Sequence, residues 1–154
     1  MRKKKTPSNT SQDKYFALLI GINEYSDLSP LQTPLRDVTR IASILEENYG
    51  FKNTVLENPS RQEILNELNN FKNFLSENDN LLIYYAGHGV LDEGEGFWLP
   101  VDASRENDIN WISNSYLKRK LKSYAAKNVL VIADSCFSGS LTRDIKIVDI
   151  EDTA

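Results

Sequence analysis

Three uninterrupted apolar runs constrain this chain more than any other feature: Phe16 to Ile22, Leu81 to Ala86 and Val129 to Ala133. None alternates with polar residues. Runs of this length without alternation describe strands buried on both faces, as in a parallel sheet with helices on either side. The segments between them carry the other period. From Pro34, apolar residues recur at Leu35, Val38, Ile41, Ala42, Leu45 and Tyr49. That is helical spacing, and Gly50 stops it. Ser60 with Glu63 is a capping-box pattern opening a second helix, whose apolar face is Ile64, Leu68, Phe71 and Leu75. Ser113 caps a third, with Tyr116, Leu117, Leu121 and Tyr124 along one side.

Strands alternating with helices predict an α/β fold with a mainly parallel sheet and helices on both faces. Thr54 to Leu56 is a short strand candidate, and Asp92 to Gly96 a glycine-rich acidic loop. Phe97 to Val101 is an extended segment placed at an edge by Pro100. Trp98 and Trp111 read as packing residues, Tyr84 and Tyr85 as alternating between the two faces. Glu24 and Asp27 read as solvated loop residues. Residues 1–13 form a polar, disordered tail, with Arg2-Lys3-Lys4-Lys5 a solvated charge run. Residues 14–143 make one domain. In residues 144–154, Ile145, Ile147 and Ile150 alternate, leaving a final strand, a linker or a truncated C-terminal segment open.

A chain of 154 residues buries roughly two thirds of its unfolded surface and needs no staples. The formal net charge is −4 with both signs interspersed, which argues against nucleic acid or an anionic membrane as partner. The run from Tyr15 to Ile22 is too short to cross a bilayer. One cysteine excludes an intrachain disulfide and suits a reducing, cytoplasmic setting. One cysteine and one histidine are too few for a tetrahedral zinc site.

That cysteine and that histidine occupy matching places. His88 follows one apolar run in Tyr85-Ala86-Gly87-His88-Gly89, and Cys136 follows another in Asp134-Ser135-Cys136-Phe137-Ser138-Gly139. In parallel sheets functional groups gather beyond the carboxyl ends of the strands. A thiol is mostly protonated at neutral pH, and an imidazole can favour the thiolate or protonate a departing amine. Backbone N–H groups stabilise the oxyanion of a tetrahedral intermediate, and Gly89 and Gly139 tolerate the close approach this needs. The set fits acyl transfer from a peptide carbonyl.

With Ala17-Leu18-Leu19-Ile20-Gly21-Ile22-Asn23 added, these motifs resemble the caspase-like cysteine peptidases, the superfamily of caspases, metacaspases and bacterial orthocaspases. His88 and Cys136 stand 48 positions apart, and in caspases the histidine lies about 50 residues upstream of the cysteine. The resemblance implies a caspase-like three-layer sandwich and covers the catalytic, large-subunit part. It implies Cys136 as nucleophile, His88 as its imidazole partner and the N–H groups of Gly89 and Cys136 as oxyanion hole. The histidine in this superfamily is usually steadied by a backbone carbonyl, so no third catalytic side chain is assigned.

Asp134 matches a metacaspase position lining the pocket for the substrate's first residue. Asp37 matches a second acidic position, though the glycine-cysteine and asparagine that precede it there are missing. Two carboxylates in one pocket suit Arg or Lys and repel Asp, so the expected reaction is peptide cleavage after a basic residue. The resemblance also suggests regulated cell death or defence, with a small-subunit segment or a sensor domain as partner beside the peptide or protein substrate. The calcium-binding acidic segments of many metacaspases have no clear counterpart; Asp92, Glu93 and Glu95 lack the spacing of a calcium loop, and no cofactor is expected. The two strands and helix that complete a caspase-like fold after the cysteine exceed the 15 residues that follow Gly139. The small-subunit part is therefore expected to be missing. Arg143 and Lys146 lie where relatives process their intersubunit linker. The alternatives are a non-catalytic caspase-like interaction module, and a thiol amidase, whose usual nucleophile-elbow pattern is absent.

Overall fold

The computed structural model describes residues 12–137 and 144–149, with the backbone alone for 136–137 and 144–149. Chain order is β1 (Lys14–Gly21), α1 (Pro34–Tyr49), β2 (Lys52–Glu57), α2 (Arg61–Phe74), β3 (Asp79–Asp92), β4 (Glu95–Trp98), β5 (Ile112–Ser113), α3 (Asn114–Leu121), β6 (Asn128–Phe137) and β7 (Asp144–Asp149). The expected tail lies outside the described residues up to position 11, as do Ser138 to Arg143.

The three apolar runs become β1, β3 and β6, three adjacent strands. With β2 they form the parallel core β2-β1-β3-β6. β4 and β5 continue the sheet antiparallel from the end of β3, and β7 pairs antiparallel with β6. The sheet is therefore mixed, with antiparallel additions around a parallel centre. Helices cover both faces. On one, Ala17, Leu19, Tyr84 and Ala86 pack with Val38 of α1. On the other, Phe16, Leu18, Ile20, Ile83 and Tyr85 pack with Ile64, Leu68 and Phe71 of α2 and Leu117 and Leu121 of α3. Alternation along one strand thus sends Tyr84 and Tyr85 to opposite layers.

Local chemistry sets the element ends. Pro34 starts α1 and Gly50 ends it in the left-handed conformation, its N–H returning to Glu46 and Leu45. The capping box on α2 is complete: Ser60 Oγ accepts from the Glu63 N–H, and the Glu63 carboxylate accepts from the Ser60 N–H. Ser113 Oγ accepts from Tyr116 N–H at the start of α3.

Two expectations change. The acidic loop is a tight hairpin: β3 and β4 are joined by Glu93 and Gly94, both at positive φ. Two such residues give the turn whose twist matches the strands; the charges of Asp92, Glu93 and Glu95 masked the strand pattern. The segment 97–101 is not an edge strand either. β4 ends at Trp98 and has β5 outside it, so Pro100 falls past the ladder and breaks no hydrogen bond. Residues 144–149, open between strand and linker in the sequence, run as β7.

The capping box and the core separate by magnitude. Ser60→Ala is expected to cost about 1 kcal/mol and Leu68→Ala, fully buried, about 2–5 kcal/mol, both read as shifts of the urea midpoint.

Candidate active site

β3 is longer than β1, and the site sits where the shorter strand gives out. The β1–β3 register ends at Gly21 opposite Ala86, and Ile22 N–H still donates to the Ala86 carbonyl. Further along, Gly89 has register partners on both sides, Phe137 in β6 and Trp98 in β4. So β4 takes the place beside β3 that β1 vacates, and Gly87 and His88 lie between the two neighbours. β1 connects onward to β2 on one side while β3 lies on its other side, the arrangement that opens a crevice at the strands' carboxyl ends.

In that interval the main chain of His88 is held by side chains as well as backbone. Its N–H donates to the Tyr25 hydroxyl (2.7 Å). Its carbonyl accepts from Leu99 N–H (3.1 Å) and from the Tyr85 hydroxyl (2.6 Å). Tyr85 is fully buried, stacked on Trp98, and burial pushes its phenol well above the ordinary value. Gly87 is glycine for a steric reason: a Cβ there would lie 2.7 Å from the Tyr25 hydroxyl and 2.8 Å from that of Tyr85.

The imidazole is fixed by the loop after β1. His88 Nε2 lies 2.8 Å from the Ser29 carbonyl, and the Tyr25 ring packs against it at 4.6 Å between centroids. A carbonyl oxygen only accepts, so Nε2 carries the hydrogen and Nδ1 of the neutral ring keeps its lone pair. The loop is anchored in turn. Asn58, itself at positive φ, accepts the N–H groups of Asn23 and Glu24 on its Oδ1. Asp27 is not simply solvated. It accepts from Arg105 N–H and Ser104 Oγ, and its own carbonyl accepts from Arg105 Nε. The Arg105 N–H holds its carboxyl below the usual aspartate range against a desolvation penalty, helped by the Ser104 hydroxyl and the Arg105 charge.

Cys136 stands opposite His88 in the β3–β6 register, on strands that lie about 4.8 Å apart. One step earlier Gly87 faces Ser135, and one before that Ala86 faces Asp134. Gly89 and Cys136, whose N–H groups the resemblance assigns to an oxyanion, both lie inside this ladder rather than in an open turn. A Cβ on Gly89 would come within 2.8 Å of Ser135 Cβ. Asp134 accepts from the Tyr84 hydroxyl at 3.3 Å, and Arg36 lies against Asp37, at 3.9 Å. Asp37, in the first turn of α1, and Asp134 line one cavity of about 210 Å³ with Leu31, Gln32, Thr33, Pro34, Ala86 and Gly87. The two aspartates singled out in the sequence, 97 positions apart, therefore line the same cavity. Gly139 and Arg143 lie outside the described residues; Lys146 lies in β7. Among the described residues no group of three or more His, Cys, Asp or Glu could hold a metal ion. Glu95 of the acidic hairpin is engaged by Ser115 N–H and Oγ.

Residues 14–152 match the family model of the caspase domain. The chain belongs to the caspase family. It is 36% identical over 101 residues to the mouse mucosa-associated lymphoid tissue lymphoma translocation protein 1 homolog, covering 66% of this chain and 12% of that protein. It is 28% identical over 146 residues to metacaspase-1 of Botryotinia fuckeliana, covering 80% and 34%, and 27% identical over 146 residues to metacaspase-8 of Arabidopsis thaliana, covering 84% and 38%. The chain thus spans well under half the length of these relatives. A crystal structure of a protein from Geobacter sulfurreducens shares the fold, with a TM-score of 0.67 at 24% identity, covering 83% of this chain and 52% of that one. Membership brings a caspase-like peptidase domain. No helix among the described residues is long and apolar enough to cross a membrane.

The resemblance pointed to a backbone carbonyl at the histidine, and Ser29 supplies one. Sequence reasoning missed Tyr25, Asn58 and Asp27, which act across the turn of a loop or across long separations that no local pattern announces.

The depressed carboxyl of Asp27 gives a sign. Its folded-state value is below the unfolded one, so its contribution is present above about pH 4 and is lost as pH falls through the lower folded value. Asp27→Asn is expected to flatten the acid limb of the stability curve below about pH 4, measured by urea midpoints from pH 5 downward; an unchanged acid limb would contradict the clamp.

Proposed function

We propose that this chain is the catalytic module of a cysteine endopeptidase that cleaves after Arg or Lys. The observation that carries the reading is the placement of Cys136 opposite His88 on adjacent strands, with Nε2 of His88 tied to Ser29 and Nδ1 left with its lone pair. In this mechanism His88 draws the proton from the Cys136 thiol and the thiolate attacks the scissile carbonyl. The imidazolium then protonates the departing amine, leaving a thioester that water hydrolyses with His88 as base. Gly89 and Cys136 N–H groups receive the oxyanion; because both lie within the sheet register, β3 and β6 must part at their ends to present them.

The shared cavity supports the specificity. Asp37 and Asp134 offer two carboxylates to one guanidinium, which can meet carboxylate oxygens in parallel pairs, or to an ammonium. Arg36 is 75% exposed beside a 31% exposed Asp37, so a substrate cation displaces a weak, solvated neighbour. The setting proposed is cytoplasmic, in regulated cell death or defence, with a small-subunit segment or sensor domain completing the enzyme and no cofactor assigned. A second reading, a non-catalytic interaction module, is favoured by one observation: Gly89 and Cys136 are held in a continuous ladder.

Fluorogenic peptides with Arg, Lys or Asp before the scissile bond separate these readings. Cleavage after Arg and Lys is expected, and preference for Asp would overturn the assignment. Asp134→Ala is expected to lower kcat/KM for Arg by roughly thirtyfold, about 2 kcal/mol, the low end for truncating one partner of a charge pair because Asp134 is only half-buried. An arginine ketone electrophile should label Cys136 and fail to label the His88→Ala variant. Equal labelling of both would remove the dyad.

A further inference from the structure

We propose that Tyr25 is the positioning residue for His88: its hydroxyl bridges the break in the sheet beside β3, and its ring sets the imidazole against Ser29. This rests on the peptidase reading only for its effect on turnover; the placement itself stands on geometry.

The argument begins with main-chain hydrogen bonding. A buried N–H in a strand needs an acceptor. Up to Ala86 that side of β3 is served by β1 and Ile22, and from Gly89 onward by β4. His88 falls between them. Leu99 supplies a donor for its carbonyl, but its N–H is met by a side chain, the Tyr25 hydroxyl at 2.7 Å. The same residue lays its ring against the imidazole at 4.6 Å and 55°. Four positions later in the same loop, the Ser29 carbonyl takes Nε2. One loop therefore fixes the backbone, the ring plane and the tautomer of His88 together.

Tyr25 is itself gripped on both sides. The N–H groups of Asn23 and Glu24 donate to Asn58 Oδ1, and Ser26 N–H donates to the Val101 carbonyl at 3.0 Å. Gly87 leaves the space the hydroxyl occupies. Displacing reacting groups by about 1 Å can cost roughly a hundredfold in rate, so such a mount matters more to turnover than to binding. Tyr25 touches no reacting atom in this scheme; it acts through His88.

The chain's single histidine and single cysteine make the test direct. The full chain and its Tyr25→Phe and Tyr25→Leu variants are compared by imidazole nitrogen NMR, amide exchange at His88, alkylation of Cys136 against pH, and peptide turnover. The wild type should show one neutral tautomer, protonated at Nε2. Tyr25→Phe should keep that tautomer and speed His88 amide exchange by roughly tenfold, with kcat down about tenfold at an unchanged KM. Tyr25→Leu should mix the tautomers, shift the pH profile of alkylation and lower kcat by about a hundredfold. Wild-type nitrogen shifts and amide exchange in both variants would overturn the proposal, as would kcat and KM changing together in Tyr25→Phe. If Tyr25→Leu does not fold, Tyr25→Phe decides. A wild type that neither cleaves nor is labelled at Cys136 overturns the peptidase reading alone, because the nitrogen shifts and amide exchange still judge Tyr25.

Discussion

The pairing of β3 with β6 is the constraint on which the rest depends. Parallel strands hold their partners at a fixed spacing and register, and a slip of one residue would turn every side chain to the other face. Here the apolar runs 81–86 and 129–133 lock that register, because each must present one set of residues to α1 and the other to α2 and α3. Position 88 then faces 136 and position 86 faces 134 with no further instruction. The hydrophobic core thereby sets a histidine opposite a cysteine 48 positions away.

Unequal strand length gives that pairing somewhere to act. Had β1 matched β3 residue for residue, the sheet would be closed beside His88. By stopping at Gly21 it leaves a recess that loop 22–33, the start of α1 and Asp134 enclose. Gly21 shows how tightly the stop is made: a Cβ there would lie 2.8 Å from Val38 Cγ2 and 3.1 Å from the Pro34 carbonyl. The first turn of α1, which carries Asp37, is thereby pressed onto the end of β1.

Most of the frame was legible in the sequence because it is written in short-range periodicity. The runs at 16–22, 81–86 and 129–133, the Ser60–Glu63 box and the Gly50 stop each specify their element locally. The hairpin 92–95 was not, since its charges imitate a loop; the clue was Gly94, which can take positive φ, beside Glu93, which pays to do so. The convergence of Asp37 and Asp134 was reached only through resemblance, because no periodicity links positions so far apart. Tyr25 was out of reach altogether. Its role follows from a gap between two neighbouring strands, and that gap exists only once all three are in place.

Of the contacts that hold His88, the Ser29 carbonyl has no proton to lose, and burial keeps the phenol of Tyr85 protonated far above neutrality. These two parts of the mount keep a fixed charge across the neutral range, so neither contributes an inflection there to any property of the recess.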